Sequence, residues 1–235
     1  MLRNFLLPKN NNKHSYIANL IRNESPVIIE VGAHFGTDTL KMLNQYQNPK
    51  IYCFEPDPRN IEIFKQNINS DNVYLFPFAV SDKDKANVSF YQASSEATEK
   101  MLEKYHWINK EDFIKKKLAR SSASSLKKGH EAVADANQIF VNTIALDNWS
   151  QKYNLSIIDL MWIDVQGAEK EVLKGAKSLL SKTRYVWIEY GEVEYDGGMS
   201  LTETYKQLGN DFNLITKGSY FRKRGDALFQ NINIS

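Results

Sequence analysis

Along most of the chain, short apolar runs rich in Val, Ile, Phe and Tyr alternate with longer amphipathic stretches. The runs are Val27–Val31, Ile51–Phe54, Val73–Val80, Ile139–Ile144, Ile158–Val165 and Tyr185–Tyr190, with Phe212–Thr216 and Ala227–Ile232 near the end. Several are apolar at consecutive positions, the pattern of strands buried on both faces of a parallel sheet. Between them, Thr37–Gln45, Pro58–Asn69 and Ala168–Leu180 read as helices. Pro58–Asn69 carries Ile61, Phe64 and Ile68 at helical spacing and opens behind Asp57, a capping residue followed by proline at the first helical position. Ala168–Leu180 places Val172, Leu173, Ala176, Leu179 and Leu180 on one face.

Strand, helix, strand, helix predicts an α/β fold with right-handed crossovers. The tail departs from that rhythm. Phe212–Thr216 and Ala227–Ile232, joined by the polar, Gly-flanked Lys217–Asp226, read as an antiparallel hairpin closing one edge of the sheet. Residues 94–136 break the rhythm altogether: they hold Lys115-Lys116-Lys117, Lys127-Lys128 and the Ser-rich ARSSASSLKKG, with Glu96–Leu118 a candidate helix. Two readings stand side by side, a solvated surface insertion and a lid over a site. No internal repeat is present, and residues 1–235 read as one domain carrying that insertion.

Composition changes this picture little. Thirty Lys and Arg against 28 Asp and Glu leave a net charge of +2, which argues against a dedicated nucleic-acid binder. No run approaches the roughly 20 apolar residues of a membrane span. MLRNFLLPKNNNK lacks the apolar core and cleavage site of an export signal. Cys53 is the single cysteine, so no internal disulfide or cysteine-based metal cluster forms, and a reducing cytoplasm is the default location.

The chemistry concentrates in VIIEVGAHFGTDTL. There an apolar strand runs into Glu30, Gly32 and Gly36 and then a helix. Glycines in such a turn let the backbone approach a ligand, and the helix N-terminus aims amides at it. The next strand, IYCF, ends in Glu55, 23 residues after Gly32, where an acid can accept both hydroxyls of a ribose. The dinucleotide fingerprint fails, since His34 and Thr37 occupy its second and third glycine positions, and no phosphate-binding G-x-x-x-x-G-K-[ST] exists. The loop suits an ammonium and a carboxylate better than two phosphates, which points to S-adenosyl-L-methionine. Asp164 stands in an otherwise apolar strand just before Gly167 and requires a partner or a site. Glu189 ends the fifth strand and is open between site and sheet edge. Glu169 reads first as an acid favoured by a helix N-terminus. His34 is open between ligand contact and surface. His14, His106 and His130 have no companions at ligand spacing and read as exposed or locally bonded, so no metal site is expected.

These segments resemble the FkbM-type methyltransferases, class I enzymes dependent on S-adenosylmethionine. The resemblance spans about residues 27–189 and rests on IIEVGAHFGTDTL, YCFEPDP, FAVSD, SSASSL, VNTIALDNW, IDLMWIDVQGAEKEVLKGA and VWIEY in that order. The family often has Glu where this chain has Gln166, and the stretch before SSASSL is longer than usual. The resemblance implies a single methyltransferase domain with a Rossmann-like, doubly wound, mostly parallel seven-stranded sheet and an antiparallel C-terminal hairpin. It assigns the methionine part of the cofactor to Glu30 and to Gly32, Ala33, His34, Phe35, Gly36 and Thr37. It assigns the ribose to Glu55, the adenine surroundings to Pro56 and Asp57, and the adenine pocket to Phe78, Ala79 and Val80. Asp164 then faces the methyl group.

The expected reaction is O-methylation of a hydroxyl on a sugar or natural product. Position and alignment carry most of it. Asp164, with Glu189 as second candidate, serves as the base that takes the hydroxyl proton. The expected partners are a small-molecule, glycan or peptide acceptor. The alternatives are an N-methyltransferase acting on peptide side-chain amides, a cofactor-binding module without catalysis and, weakened by the missing glycines, an NAD-dependent oxidoreductase. The expected electrostatics are an acidic crevice of Glu30, Glu55, Asp164 and Glu189 beneath a basic flap, Lys100–Lys128.

Overall fold

The computed structural model describes residues 13–128, 136–192, 195–218 and 224–234. The strands are β1 (Val27–Val31), β2 (Lys50–Phe54), β3 (Val73–Phe76), β4 (Ala79–Val80), β5 (Lys85–Gln92), β6 (Asn137–Ile144), β7 (Ile158–Ile163), β8 (Thr183–Tyr190), β9 (Phe212–Lys217) and β10 (Gly225–Asn231). Seven form one sheet in the order β3-β2-β1-β7-β8-β10-β9. Its first five strands are parallel, and β10 and β9 run antiparallel at the edge.

Continuous apolar strands need cover on both faces, and the helices supply it. On one face, α1 (Lys13–Ile21), α2 (Thr37–Leu43) and α3 (Pro58–Asn67) bring Ile17, Met42 and Phe64 against Ile28, Ile51 and Trp162. On the other, α6 (Leu146–Ser150), α7 (Glu169–Lys174), α8 (Lys177–Leu180) and α9 (Leu201–Leu208) bring Trp149, Val172 and Leu208 against Ile29, Met161 and Ile188. The insertion carries α4 (Glu99–Lys104) and α5 (Lys110–Lys115). Each aliphatic side chain fully buried in these layers contributes roughly 1.5–3 kcal/mol. Local chemistry agrees with the layers: Asp57 caps α3 by accepting from the Arg59 amide, and Ser200 with Glu203 forms a reciprocal capping box on α9.

Several expectations need correction. The run Val73–Val80 is two strands, because Pro77 has no N–H for a ladder and the Phe78 amide turns back to the Phe76 carbonyl at 2.9 Å. The run Ile139–Ile144 lies outside the main sheet, within β6, which pairs with β4 and with β5, a strand whose polar, charged sequence conceals it. The expected helix over Ala168–Leu180 breaks at Gly175, which has no room for a side chain. A Cβ there would sit 2.1 Å from the Ser81 carbonyl oxygen, and the Gly175 carbonyl instead accepts from the Asp147 amide. Glu96–Leu118 is two short helices rather than one. His14 is buried, stacked on Trp162 and 3.0 Å from Asp38, instead of exposed. His130 and residues 219–223 of the Lys217–Asp226 connection lie outside the described residues.

The strand order places the site. β1 connects towards β2 on one side, while β7 flanks it on the other, so the crevice of the sheet opens where β1 and β7 end. The insertion is docked beside that crevice: Phe113, Leu118 and Ile108 form a cluster with Phe35 of the glycine loop and Ile63 of α3. Lys116 pairs with Glu62 at 2.8 Å, and Arg59 donates to the Lys117 carbonyl at 2.9 Å. No helix among the described residues is long and apolar enough to cross a membrane. Because Phe113 is fully buried in that cluster, Phe113→Ala is expected to destabilise the protein by about 3–5 kcal/mol. Chemical denaturation checks this, and a loss near zero would show that the insertion is not packed into the fold.

Candidate active site

The strand ends meet without a side chain between them. Gly32 follows β1 with φ 91°, and a Cβ there would stand 1.9 Å from the Asp164 carbonyl oxygen. The Asp164 amide donates to the Val31 carbonyl at 3.0 Å, and the Gly32 and Ala33 amides both donate to the Phe54 carbonyl. Gly36, at φ 76°, precedes α2, and a Cβ there would press on Ile68 at 2.7 Å. Between the glycines, His34 occupies the left-handed region at φ 50°, an uncommon conformation for a residue with a side chain. Its ring stacks on Phe35, and its Nε2 lies 2.8 Å from Ser121 Oγ. Burial lowers the His34 pKa to about 3, so the ring is neutral there.

Glu55 ends the neighbouring strand. One carboxylate oxygen accepts from the His34 amide at 2.8 Å, and the other accepts from the Asp57 amide at 2.9 Å and Asn60 Nδ2 at 3.2 Å. Burial first, then the nearby Asp57 charge, raises its pKa to about 7. Between Glu55 and Asp164 opens a partly enclosed cavity lined by both carboxylates.

Of the residues singled out from the sequence, Gly32, His34, Glu55, Pro56, Phe78, Ala79, Val80 and Asp164 line this cavity. The others do not. Glu30 points to the opposite side, where its carboxylate accepts from Thr39 Oγ1 at 2.5 Å and Cys53 Sγ at 3.4 Å, and burial raises its pKa to about 8. The alternation of a strand explains this, since Glu30 shares the face of Ile28 while its neighbour Val31 reaches the cavity. Phe35 faces the insertion cluster. Gly36 and Thr37 begin α2, and Ala33 is buried behind the loop. Asp57 caps α3 and pairs with Arg59 at 2.7 Å. Glu189 stands back from the cavity wall but is joined to it through Gln166.

That junction is a compact polar cluster. Gln166 donates from Nε2 to Asp164 at 2.5 Å and to Glu189 at 2.7 Å. Arg224 donates from Nε to Glu189 at 2.7 Å. Burial and the Asp164 charge push the Glu189 carboxyl above its ordinary range, and the Arg224 guanidinium opposes them. Glu169 accepts from the Val165 and Gly167 amides, tying down the turn behind Asp164 as its place in the first turn of a helix suggested. Burial, mainly, raises its pKa to about 7.

Sequence reasoning missed the other half of the wall. Ser121, Ser122, Ser124 and Leu126 of the insertion cover the cavity, and Asn60 and Gln166 contribute amides. The Ser cluster was a visible signal; Asn60, one turn into α3, had none. Serine hydroxyls fasten this loop: Ser125 Oγ donates to the Gln166 carbonyl at 2.7 Å, and Ser124 Oγ accepts from the Ala93 amide.

A crevice of this kind at the carboxyl ends of a seven-stranded sheet is the architecture of the α/β methyltransferases. An rRNA methylase from Streptococcus thermophilus shares the fold with TM-score 0.53 at 9% identity, covering 97% of this chain and 99% of that one. A putative O-methyltransferase from Klebsiella pneumoniae aligns with TM-score 0.50 at 12% identity, covering 96% and 82%. The chain belongs to the FkbM methyltransferases: the methyltransferase FkbM domain matches residues 30–223. It is 30% identical to the 2-O-methyltransferase NoeI of Sinorhizobium fredii over 225 residues, 94% of this chain and 86% of that protein. Methyltransferase sdnD of Sordaria araneosa is 27% identical over 179 residues, 69% of this chain and 64% of that protein. The protein is therefore an enzyme of the methyltransferase class.

The buried Glu30 generates a prediction. Its folded pKa lies above the unfolded value, so the neutral form is favoured on folding, and that stability is lost as pH rises from about 4.5 to about 8. Glu30→Gln is expected to lose roughly 4 kcal/mol less than wild type over this window in denaturant titrations. Parallel pH profiles would refute the assignment.

Proposed function

We propose that this methyltransferase takes its methyl group from S-adenosylmethionine and transfers it to a hydroxyl of a sugar or natural product. The observation that carries the reading is one cavity flanked by two carboxylates at the strand ends on either side of β1, Glu55 after β2 and Asp164 after β7, with side-chain-free Gly32 between them. S-adenosylmethionine, when bound, supplies a methyl group activated by its sulfonium. The residues suit such a cofactor. Asn60 Oδ1 is buried beside Glu55 with no hydrogen-bond partner among the described residues, an acceptor awaiting a donor. Glu55 already accepts three bonds, and a carboxylate offers about four sites, so it retains capacity for a ribose hydroxyl. Phe78, Ala79, Val80 and Leu126 provide an apolar wall for a base.

In this reading Glu55 and Asn60 hold the sugar of the cofactor, and the backbone around Gly32 and His34 holds its amino-acid end. Asp164 takes the proton from the acceptor hydroxyl as its oxygen becomes the nucleophile, and Glu189 is the carboxylate behind it. The loop Ser121–Leu126 acts as a lid, holding water away while the ligands are bound. The hydroxyl acceptor is supported by the 2-O-methyltransferase at 30% identity and by the carboxylate at the cavity edge, since an alcohol must lose a proton that a sulfonium leaving group does not remove.

Calorimetry with S-adenosylhomocysteine tests the cofactor half. Affinity is expected to rise as pH increases through about 7, where Glu55 ionises. Glu55→Gln should bind about tenfold more weakly at pH 8 and lose that pH dependence. Transfer of labelled methyl from S-adenosylmethionine to neutral oligosaccharides bearing free 2-hydroxyls tests the other half. Asp164→Asn is expected to retain cofactor affinity and lose about 10²–10⁴ in kcat. Full turnover in that variant would remove Asp164 from the base role.

A further inference from the structure

The reaction needs an oriented base, and the residue that orients it is not an acid. Gln166 is buried at the cavity wall with φ 55°, so a residue with a side chain holds the left-handed region. Such a conformation is strained and persists only where its surroundings impose it. Gly167 follows at φ 97°, packed so closely on Tyr195 that a Cβ would sit 2.4 Å from that side chain. The strained turn points the amide at its partners, and every capacity of the amide is used. Nε2 donates to Asp164 and Glu189. Oε1 accepts from the Tyr195 hydroxyl at 3.1 Å and Arg224 Nη2 at 3.4 Å. Two donors and two lone pairs are all that a primary amide has. The reverse orientation is excluded, because it would set the carbonyl against two carboxylates.

We propose that the Gln166 amide is a positioning residue of methyl transfer, a neutral clamp that holds the Asp164 and Glu189 carboxylates together and leaves Asp164 its other oxygen for the acceptor hydroxyl. Glutamine alone among side chains of its size bridges two acceptors at one end and two donors at the other. Glutamate at this position would place a third acid between two. The charged and titratable groups facing the clamp are Asp164 after β7, Glu169 on α7, Glu189 on β8, Tyr195, and Arg224 and Asp226 from the β10 side, where Asp226 is the cross-strand neighbour of Glu189. The inference rests on Asp164 being the proton acceptor.

The test compares Gln166→Met, Gln166→Glu, Tyr195→Phe and Asp164→Asn with wild type. The direct readout is the titration of the Glu189 carboxyl, followed by carbon-13 NMR on protein labelled at Glu side-chain carboxyls and saturated with S-adenosylhomocysteine. The Glu189 resonance is identified by its absence from Glu189→Gln. Loss of the amide donor in Gln166→Met should raise the Glu189 midpoint by roughly one pH unit, and the extra charge in Gln166→Glu should raise it further. An unchanged midpoint in Gln166→Met overturns the proposal. The kinetic readout uses neutral oligosaccharides with free 2-hydroxyls. Gln166→Met should lose about tenfold or more in kcat with KM for S-adenosylmethionine unchanged, and Gln166→Glu should move the acidic limb of the pH–kcat profile upward. Tyr195→Phe, which removes one of the two donors at the far end of the amide, should show a smaller loss of the same kind, and it carries the test if the Gln166 variants do not fold. Equal loss of kcat and cofactor affinity in Gln166→Met marks a merely structural role and overturns the proposal. Full activity in Asp164→Asn overturns the base assignment and the clamp with it. An inactive Asp164→Asn beside a fully active Gln166→Met overturns the clamp alone. Wild type inactive on every oligosaccharide overturns the sugar acceptor only, and the Glu189 titration still decides on the clamp.

Discussion

The site depends on a contact between two backbones. Gly32 lies against the Asp164 carbonyl so closely that a single added carbon would stand 1.9 Å from it. This contact lets β1 and β7 end side by side, and the ladder between them runs one residue past β7 through the Asp164 amide and the Val31 carbonyl. The cavity, the Glu55 pocket and the Asp164–Gln166 turn all take their positions from that junction. Any side chain at Gly32 would force the strand ends apart, and its φ of 91° would strain that residue independently.

Around the junction the protein keeps several carboxyl groups in poor solvent. Glu30, Glu55, Glu169 and Glu189 all have raised pKa values, burial being the first cause in each. They are nonetheless not equivalent. Glu30 and Glu169 are occupied by structural partners, a threonine hydroxyl and a thiol for one and two turn amides for the other. Glu55 lines the cavity, and Glu189 reaches it through Gln166. The acidic crevice read from the sequence is therefore narrower than four residues suggest, because Glu30 backs the loop from the far face of β1. The basic flap is also partly neutralised: Lys116 pairs with Glu62 and Lys127 with Glu171.

Much of the fold was legible because buried parallel strands write long apolar runs: Val27–Val31 coincides with β1, and Ile158–Val165 contains β7 and overruns it by two residues. The hairpin was legible from two apolar runs joined by a polar, Gly-flanked connection. What escaped obeys tertiary rather than local rules. β5 carries Lys85, Ala86 and Asn87 at its start and is a strand only because β6 pairs with it. Gly175 divides the helix because Ser81 passes against it, a contact more than 90 residues away along the chain. In the site, the loop glycines and Glu55 were readable from spacing. The sidedness of Glu30 was not, since an acid at a strand end faces either way until the pleat is known. Asn60 and Gln166 needed the folded turn that aims their amides.

The docking of the insertion gives the site a property that neither the sheet nor the loop has alone. Phe35 sits in the glycine loop, yet its ring is buried by Phe113, Leu118 and Ile63 rather than by the sheet. His34 next to it reaches Ser121 with its ring while its amide serves Glu55. Residues 34 and 35 are thus held from one side by the catalytic domain's own strands and from the other by the insertion. Tyr195 extends the same coupling, since its hydroxyl meets both the Ala123 carbonyl and the Gln166 amide. Lifting the Ser-rich loop would therefore release, in one motion, the His34 ring, a bond at Tyr195 and the Ser125 bond beneath Gln166. In the proposed reading, where this loop is the lid, a cover fastened at these points to both ends of the cavity would couple its closure to the geometry of Glu55 and Asp164. Closure would then align the site as well as exclude water, which is what a reaction dominated by positioning requires.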